Sequence, residues 1–168
     1  LFVLDPSASA ARFDAQGKLL YSLKLAAEAA SAPVVTTGGG SAFVVTGDLQ
    51  LVDAQGRQRW RAALGDADFT ARSILATRDG SVVVASNGAI VKISAFGELV
   101  WQRSSNETPL ELLETDAGLY CVTALGSVLR LDGSGRSSKV RERGRSLQAL
   151  TAGLMGAQLM SRTGKDRW

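Results

Sequence analysis

Phe13-Asp14-Ala15-Gln16-Gly17, Val52-Asp53-Ala54-Gln55-Gly56, Ile93-Ser94-Ala95-Phe96-Gly97 and Leu131-Asp132-Gly133-Ser134-Gly135 are four versions of one segment. Each is an apolar residue followed by a short polar turn that closes on glycine. The closing glycines are separated by 39, 41 and 38 residues, a period typical of repeat arrays built from one small supersecondary unit. Two further glycine sets keep the register. Gly47, Gly88 and Gly126 each precede a closing glycine by nine residues, while Gly40, Gly80, Gly118 and Gly156 lie seven or eight residues upstream of Gly47, Gly88, Gly126 and Gly164. Three glycines per period predict three tight turns, with glycine supplying the positive φ that such turns require.

Between the turns lie short β-branched or apolar runs, such as Ala42-Phe43-Val44-Val45-Thr46, Val82-Val83-Val84-Ala85 and Leu119-Tyr120-Cys121-Val122-Thr123. Runs of this length bounded by Gly, Asn, Asp and Ser are strands joined by hairpins. Each period therefore reads as four strands, A to D. Strand A is Ser73–Thr77 or Leu110–Glu114, strand C is Leu49–Val52 or Ile90–Ile93, and strand D is Arg57–Trp60 or Glu98–Trp101. Four positions after the closing glycine stand Tyr21, Trp60 and Trp101, with Lys139 taking that place in the fourth period. The segment Leu23–Ala30 is rich in helix formers, but it is short for an isolated helix and falls between one strand D and the next strand A. It is expected to be a connecting loop.

A four-stranded antiparallel sheet cannot bury both faces alone, so successive sheets must stack, and radial stacking gives a β-propeller. The expected fold is all-β, a single propeller domain of about four repeats of 38–41 residues, at approximately 1–23, 32–61, 71–102, 109–140 and 147–168. At the start, Leu1–Leu4 reads as strand B, with strand C near Ala11–Phe13 and strand D near Lys18–Tyr21. At the end, Leu147–Leu150 and Gln158–Ser161 read as strands A and B. Two closures follow. The preferred one makes the chain about half of a seven- or eight-bladed propeller, completed by further residues or by a second copy. The alternative is a closed four-bladed ring joining the C-terminal A and B strands to the N-terminal C and D strands.

Composition narrows the chemistry. With 168 residues, 45% apolar and 21% charged, the chain can build a sizeable core. No apolar run approaches the roughly 18 residues of a membrane-spanning helix. The opening residues lack the basic region of a signal peptide, and the missing initiator Met fits removal of a leader or upstream domain. There is no histidine, which removes the usual general base of Ser and Cys nucleophiles and a common metal ligand. Cys121 is the only cysteine, so no internal disulfide forms. The net charge of +3 is uneven. Residues 136–168 carry eight Lys/Arg against Glu142 and Asp166, whereas residues 1–135 carry 11 basic against 14 acidic side chains.

The segments Val52–Trp60 and Lys92–Trp101 resemble the tryptophan-docking motif, roughly Ala-x-Asp-x-x-Thr-Gly-x-x-x-Trp, of the pyrroloquinoline-quinone-like β-propeller repeat family, which takes in quinoproteins and barrel-assembly lipoproteins. The resemblance extends over nearly the whole chain. It implies that Asp14, Asp53 and Asp132 cap the turns, that Gly17, Gly56, Gly97 and Gly135 close them, and that Tyr21, Trp60 and Trp101 pack between neighbouring blades. The dehydrogenases of this family resemble one another in a calcium site of scattered Glu, Asn and Asp and in a vicinal cysteine pair. Neither set maps onto this chain, and a single cysteine excludes the pair. The resemblance thus implies a non-catalytic, cofactor-free propeller that binds another protein or a second copy of itself, periplasmic or at the cell surface. A subunit or fragment of a quinone-dependent oxidoreductase is the alternative.

Five basic residues, Arg136, Lys139, Arg141, Arg143 and Arg145, form the densest charge cluster and a candidate anion-binding patch, which makes anionic-polymer binding a second alternative. The cluster sits on a degenerate strand D, Glu142 interrupts it, and no aromatic ladder accompanies it as a single-stranded nucleic-acid site requires. It reads first as a solvated edge. Gly38-Gly39-Gly40 lacks the Gly-Lys-Ser/Thr and helix of a phosphate loop and reads as a hairpin. Asp66 and Asp68 lack the further oxygens of a calcium loop. Cys121 reads as a small buried hydrophobe, and Glu111, Glu114 and Asp116 as outward-facing charges rather than an acid/base pair.

Overall fold

The computed structural model describes residues 2–5, 8–25, 31–65, 69–141, 149–153 and 156–160. Among these residues every regular element is a strand, and all pairing is antiparallel between strands adjacent in sequence. The first sheet holds β1 (Phe2–Asp5), β2 (Ser9–Phe13) and β3 (Leu19–Lys24). Three four-stranded sheets follow: β4 (Val34–Val35) to β7 (Gln58–Ala63) through β5 (Ser41–Val45) and β6 (Asp48–Val52), then β8 (Ser73–Ala76), β9 (Val82–Ala85), β10 (Ala89–Ile93) and β11 (Leu99–Ser104), then β12 (Pro109–Thr115), β13 (Gly118–Thr123), β14 (Val128–Leu131) and β15 (Ser137–Arg141). A two-stranded sheet of β16 (Ala149–Gly153) and β17 (Gly156–Met160) ends the series.

The second strand of each complete blade explains the stacking. In β5 and β9 every residue is buried, and strand alternation sends successive side chains to opposite faces. Val82 and Val84 join a cluster with Ala42, Val44 and Leu49 of the preceding blade. Val83 and Ala85 instead join Leu112, Cys121 and Leu129 of the following one. Likewise Phe43 and Val45 face Tyr21, Leu23 and Leu25 of the first sheet. The second and third sheets are therefore sandwiched between their neighbours, which is why their apolar runs are continuous rather than alternating.

Strands A of successive blades approach one another, β4 with β8 and β8 with β12, and the Leu112 amide donates to Ser73 Oγ at 3.1 Å. The D strands lie on the opposite, solvent-facing side. This is an arc of propeller blades with the A strands toward the axis. The described sheets fit the open arc rather than the closed four-bladed ring: β1 occupies the strand B position beside β2, β17 pairs with β16, and no sheet among the described residues combines the two ends.

Two expectations change in detail. Strands D run longer than expected, to Ala63 and Ser104. In the A-to-B hairpin of the second blade it is Gly39, φ +74°, that takes the left-handed conformation, while Gly40 lies where a Cβ would stand 2.4 Å from the Val52 carbonyl oxygen. Gly40 is thus required for close backbone approach rather than for φ. Residues Leu23 and Lys24 end strand β3, and 26–30 of the expected loop lie outside the described residues.

Candidate functional site

The C-to-D turns share one geometry. In the second blade the Asp53 amide donates to the Arg57 carbonyl at 2.9 Å and the Gly56 amide to the Asp53 carbonyl at 3.1 Å. Asp53 Oδ1 accepts from the Gln55 and Arg57 amides. Asp14 and Asp132 cap their turns identically through the amides at i+2 and i+4, and the Ser94 hydroxyl does so in the third blade. The Arg57 amide, with the Arg57 guanidinium and Gln55 amide, holds the Asp53 carboxyl below the usual range, and the Ser134 hydroxyl with the Arg136 amide does the same for Asp132.

Three of the closing glycines, Gly56, Gly97 and Gly135, carry the aromatic of the preceding blade. A Cβ at Gly56 would stand 2.6 Å from Tyr21 Cδ2, one at Gly97 2.8 Å from Trp60 Cγ, and one at Gly135 2.5 Å from Trp101 Cδ2. Trp60 Nε1 also donates to the Ala95 carbonyl at 2.9 Å. Trp101 is 6% exposed, and its indole N–H has no acceptor among the described residues. No Cβ neighbour lies within 4 Å of Gly17.

The fourth blade departs from this scheme through its backbone. In blades one to three the C–D pairing skips one residue next to the turn: Arg12 pairs with Tyr21 after Phe13 with Leu19, Leu51 with Trp60 after Val52 with Gln58, and Lys92 with Trp101 after Ile93 with Leu99. That bulge turns the aromatic toward the following blade. In the fourth blade pairing continues unbroken, Leu131 with Ser137, Arg130 with Ser138 and Leu129 with Lys139, and the skip comes later, at Val140. Lys139 therefore shares the face of Leu129, which packs toward the third blade. It turns back and pairs with Glu107 Oε1 at 2.9 Å.

Glu107 lies between strands β11 and β12 and accepts from Thr123 Oγ1 at 2.5 Å. The Thr123 hydroxyl, then Lys139, then Ser127 lower its pKa to about 2. A carboxylate so saturated stays ionised and exchanges no proton near neutrality; its role is to tie a loop to the next blade. Beside it opens a cleft of about 190 Å³ between the third and fourth blades, walled by Arg103, Asn106, Leu131, Gly135, Ser137 and Lys139. The exposed Arg103 donates from Nη2 to the Ser134 carbonyl at 2.9 Å.

The basic cluster is divided by the structure. Arg136 is exposed just before the outer strand and Lys139 is exposed on it, Arg141 ends that strand, and Arg143 and Arg145 lie outside the described residues, as do Asp66 and Asp68. Burial, then the Glu107 charge, pushes the Cys121 thiol up to about 12. Glu114 and Asp116 face a neighbour rather than only solvent: Glu114 Oε2 accepts from the Arg78 amide at 2.8 Å, and Asp116 pairs with the Arg78 guanidinium. Gly38–Gly40 form the A-to-B hairpin. Glu107, Thr123 and Arg103 carried no sequence signal of their own; the only trace was the lysine breaking the aromatic series.

Among the described residues no three His, Cys, Asp or Glu side chains converge. Nor is any helix among them long and apolar enough to cross a membrane. Solved structures share the fold at low identity. BamB from Moraxella catarrhalis matches with a TM-score of 0.67 at 19% identity, over 84% of this chain and 44% of that one. Streptogramin B lyase matches at 0.71 and 14% identity, over 89% and 54%. The WD40 domain of Neurospora crassa Pan2 matches at 0.63 and 16% identity, over 82% and 44%. The chain thus spans about half the length of these structures. No curated protein matches its sequence significantly. The family described as outer membrane protein assembly factor BamB matches residues 6–168, nearly the full sequence, and the chain belongs to that family.

Proposed function

We propose that this protein is a non-catalytic scaffold of the bacterial cell envelope that binds other proteins during outer membrane protein assembly. Family membership supports the setting. The observation that carries the binding role is the outer edge of the third blade. Phe96, at the tip of the C-to-D turn, is 83% exposed, and Leu99 and Val100 on the adjoining edge strand are 59% and 48% exposed. The other tips carry Gln16, Gln55 and Ser134 at this position. An aromatic at a turn tip beside an open strand edge offers both an apolar anchor and unpaired backbone groups to a partner.

A photo-crosslinking residue placed at Phe96, in cells of the source organism, is expected to give discrete adducts in the envelope fraction that are absent when it is placed at Gln16. Adducts with the protein itself would identify a second copy as the partner. Uniform labelling at both positions, or recovery in the cytosol, would overturn the reading. So would a bound chromophore and dye-linked alcohol oxidation after incubation with pyrroloquinoline quinone and calcium, which would return the protein to the oxidoreductases.

A further inference from the structure

We propose that the cleft between the third and fourth blades, together with the β15 edge beside it, receives an extended acidic segment of a protein partner, with Arg103 taking the carboxylate. This rests on the protein-binding reading above and specifies a second surface, distinct from the Phe96 edge.

Three features of the chain converge there. Strand β15 is the terminal strand of its sheet among the described residues, and Arg136 to Val140 are exposed, so its outer backbone groups are open to an added strand. Because the bulge is displaced to Val140, Ser137 and Lys139 face the third blade and line the cleft together with Arg103. A strand laid on β15 would therefore run alongside the cleft, where a side chain can enter.

The charge favours an acid. Glu107 is satisfied by Lys139 and Thr123, whereas among the described residues the Arg103 guanidinium donates to the Gln102 and Ser134 carbonyls and to no carboxylate. It retains capacity for a carboxylate. Arg136 is exposed immediately before β15, at the start of that edge. Trp101, whose buried N–H lacks an acceptor among the described residues, lies on the β11 face that carries Arg103 and packs on Gly135 of the cleft wall.

The test is a surface-bound array of short extended peptides on an alternating Val/Thr scaffold, carrying Glu, Gln or Lys at each position in turn, probed with the full chain. Glu peptides are expected to bind and the Gln and Lys series to fail. Arg103→Ser is expected to weaken binding by roughly tenfold, the loss of one charged hydrogen bond, while Arg57→Ser leaves it unchanged. Arg103 is exposed, so its removal should leave the circular dichroism spectrum intact. Absence of binding, equal binding of Glu and Gln peptides, or insensitivity to Arg103→Ser would overturn the proposal. Binding of dextran sulfate equally by wild type and Arg103→Ser, with displacement of the peptide, would overturn it in favour of a polyanion site. If the array fails while crosslinking from Phe96 succeeds, this cleft is excluded and the protein-binding reading stands.

Discussion

Gly17 and Gly135 close equivalent turns with nearly the same φ, +81° and +76°, yet their surroundings differ. Among the described residues nothing lies within 4 Å of a Cβ at Gly17, whereas Gly135 lies beneath the Trp101 indole. Replacing either by Ala forces a side chain into the left-handed region, at about 1–2 kcal/mol. Gly135→Ala must in addition displace a buried tryptophan, adding about 1–3 kcal/mol of overpacking. Urea denaturation of the two variants should show the larger loss for Gly135→Ala, and equal losses would mean that docking of Trp101 contributes nothing to stability. The glycine spacing was readable from the chain. Which aromatic covers which glycine was not, because the contact joins residues 34 or more positions apart, as Trp101 and Gly135 show.

At the level of the strand, a one-residue skip decides which way a side chain faces. With the bulge beside the turn, Trp60 and Trp101 point to the next blade; with the bulge moved to Val140, Lys139 points to the previous one and meets Glu107. The Glu107 pKa is depressed from 4.5 to about 2. Its contribution to stability is therefore fully present above pH 4.5 and is lost as pH falls toward 2, because the unfolded chain takes up the proton first. Glu107→Gln should remove that part of the acid dependence. Comparing unfolding midpoints of the two proteins from pH 6 to 2 checks this, and parallel curves would contradict the Glu107–Lys139 contact. The sequence showed Lys139 breaking an aromatic series. It could not show the reversal of face, since bulge position depends on how β14 and β15 pair.

Across the whole molecule, stability resides in the interfaces between sheets, as in any array whose units contact only their neighbours. Cys121 reports on one such interface. It is wholly buried between the third and fourth blades, and its raised pKa keeps it a thiol at neutral pH. An aromatic disulfide reagent at pH 8 is expected to leave the folded protein unlabelled and to label it fully in urea. Labelling that begins before the loss of the far-ultraviolet signal would mean that the blades separate before their strands unravel. Rapid labelling without urea would contradict the stacked arrangement.

The sequence alone determined the period, the turns and the strands, because glycine placement and apolar runs are local properties of the backbone. It also carried the family, through a turn and an aromatic at fixed spacing. Only the tertiary structure decided the register of β15, the turning back of Lys139, the satisfaction of Glu107 and the cleft they leave beside Arg103. Each of these depends on side chains meeting across two blades, and such meetings are fixed by packing between sheets rather than by the order of residues within one.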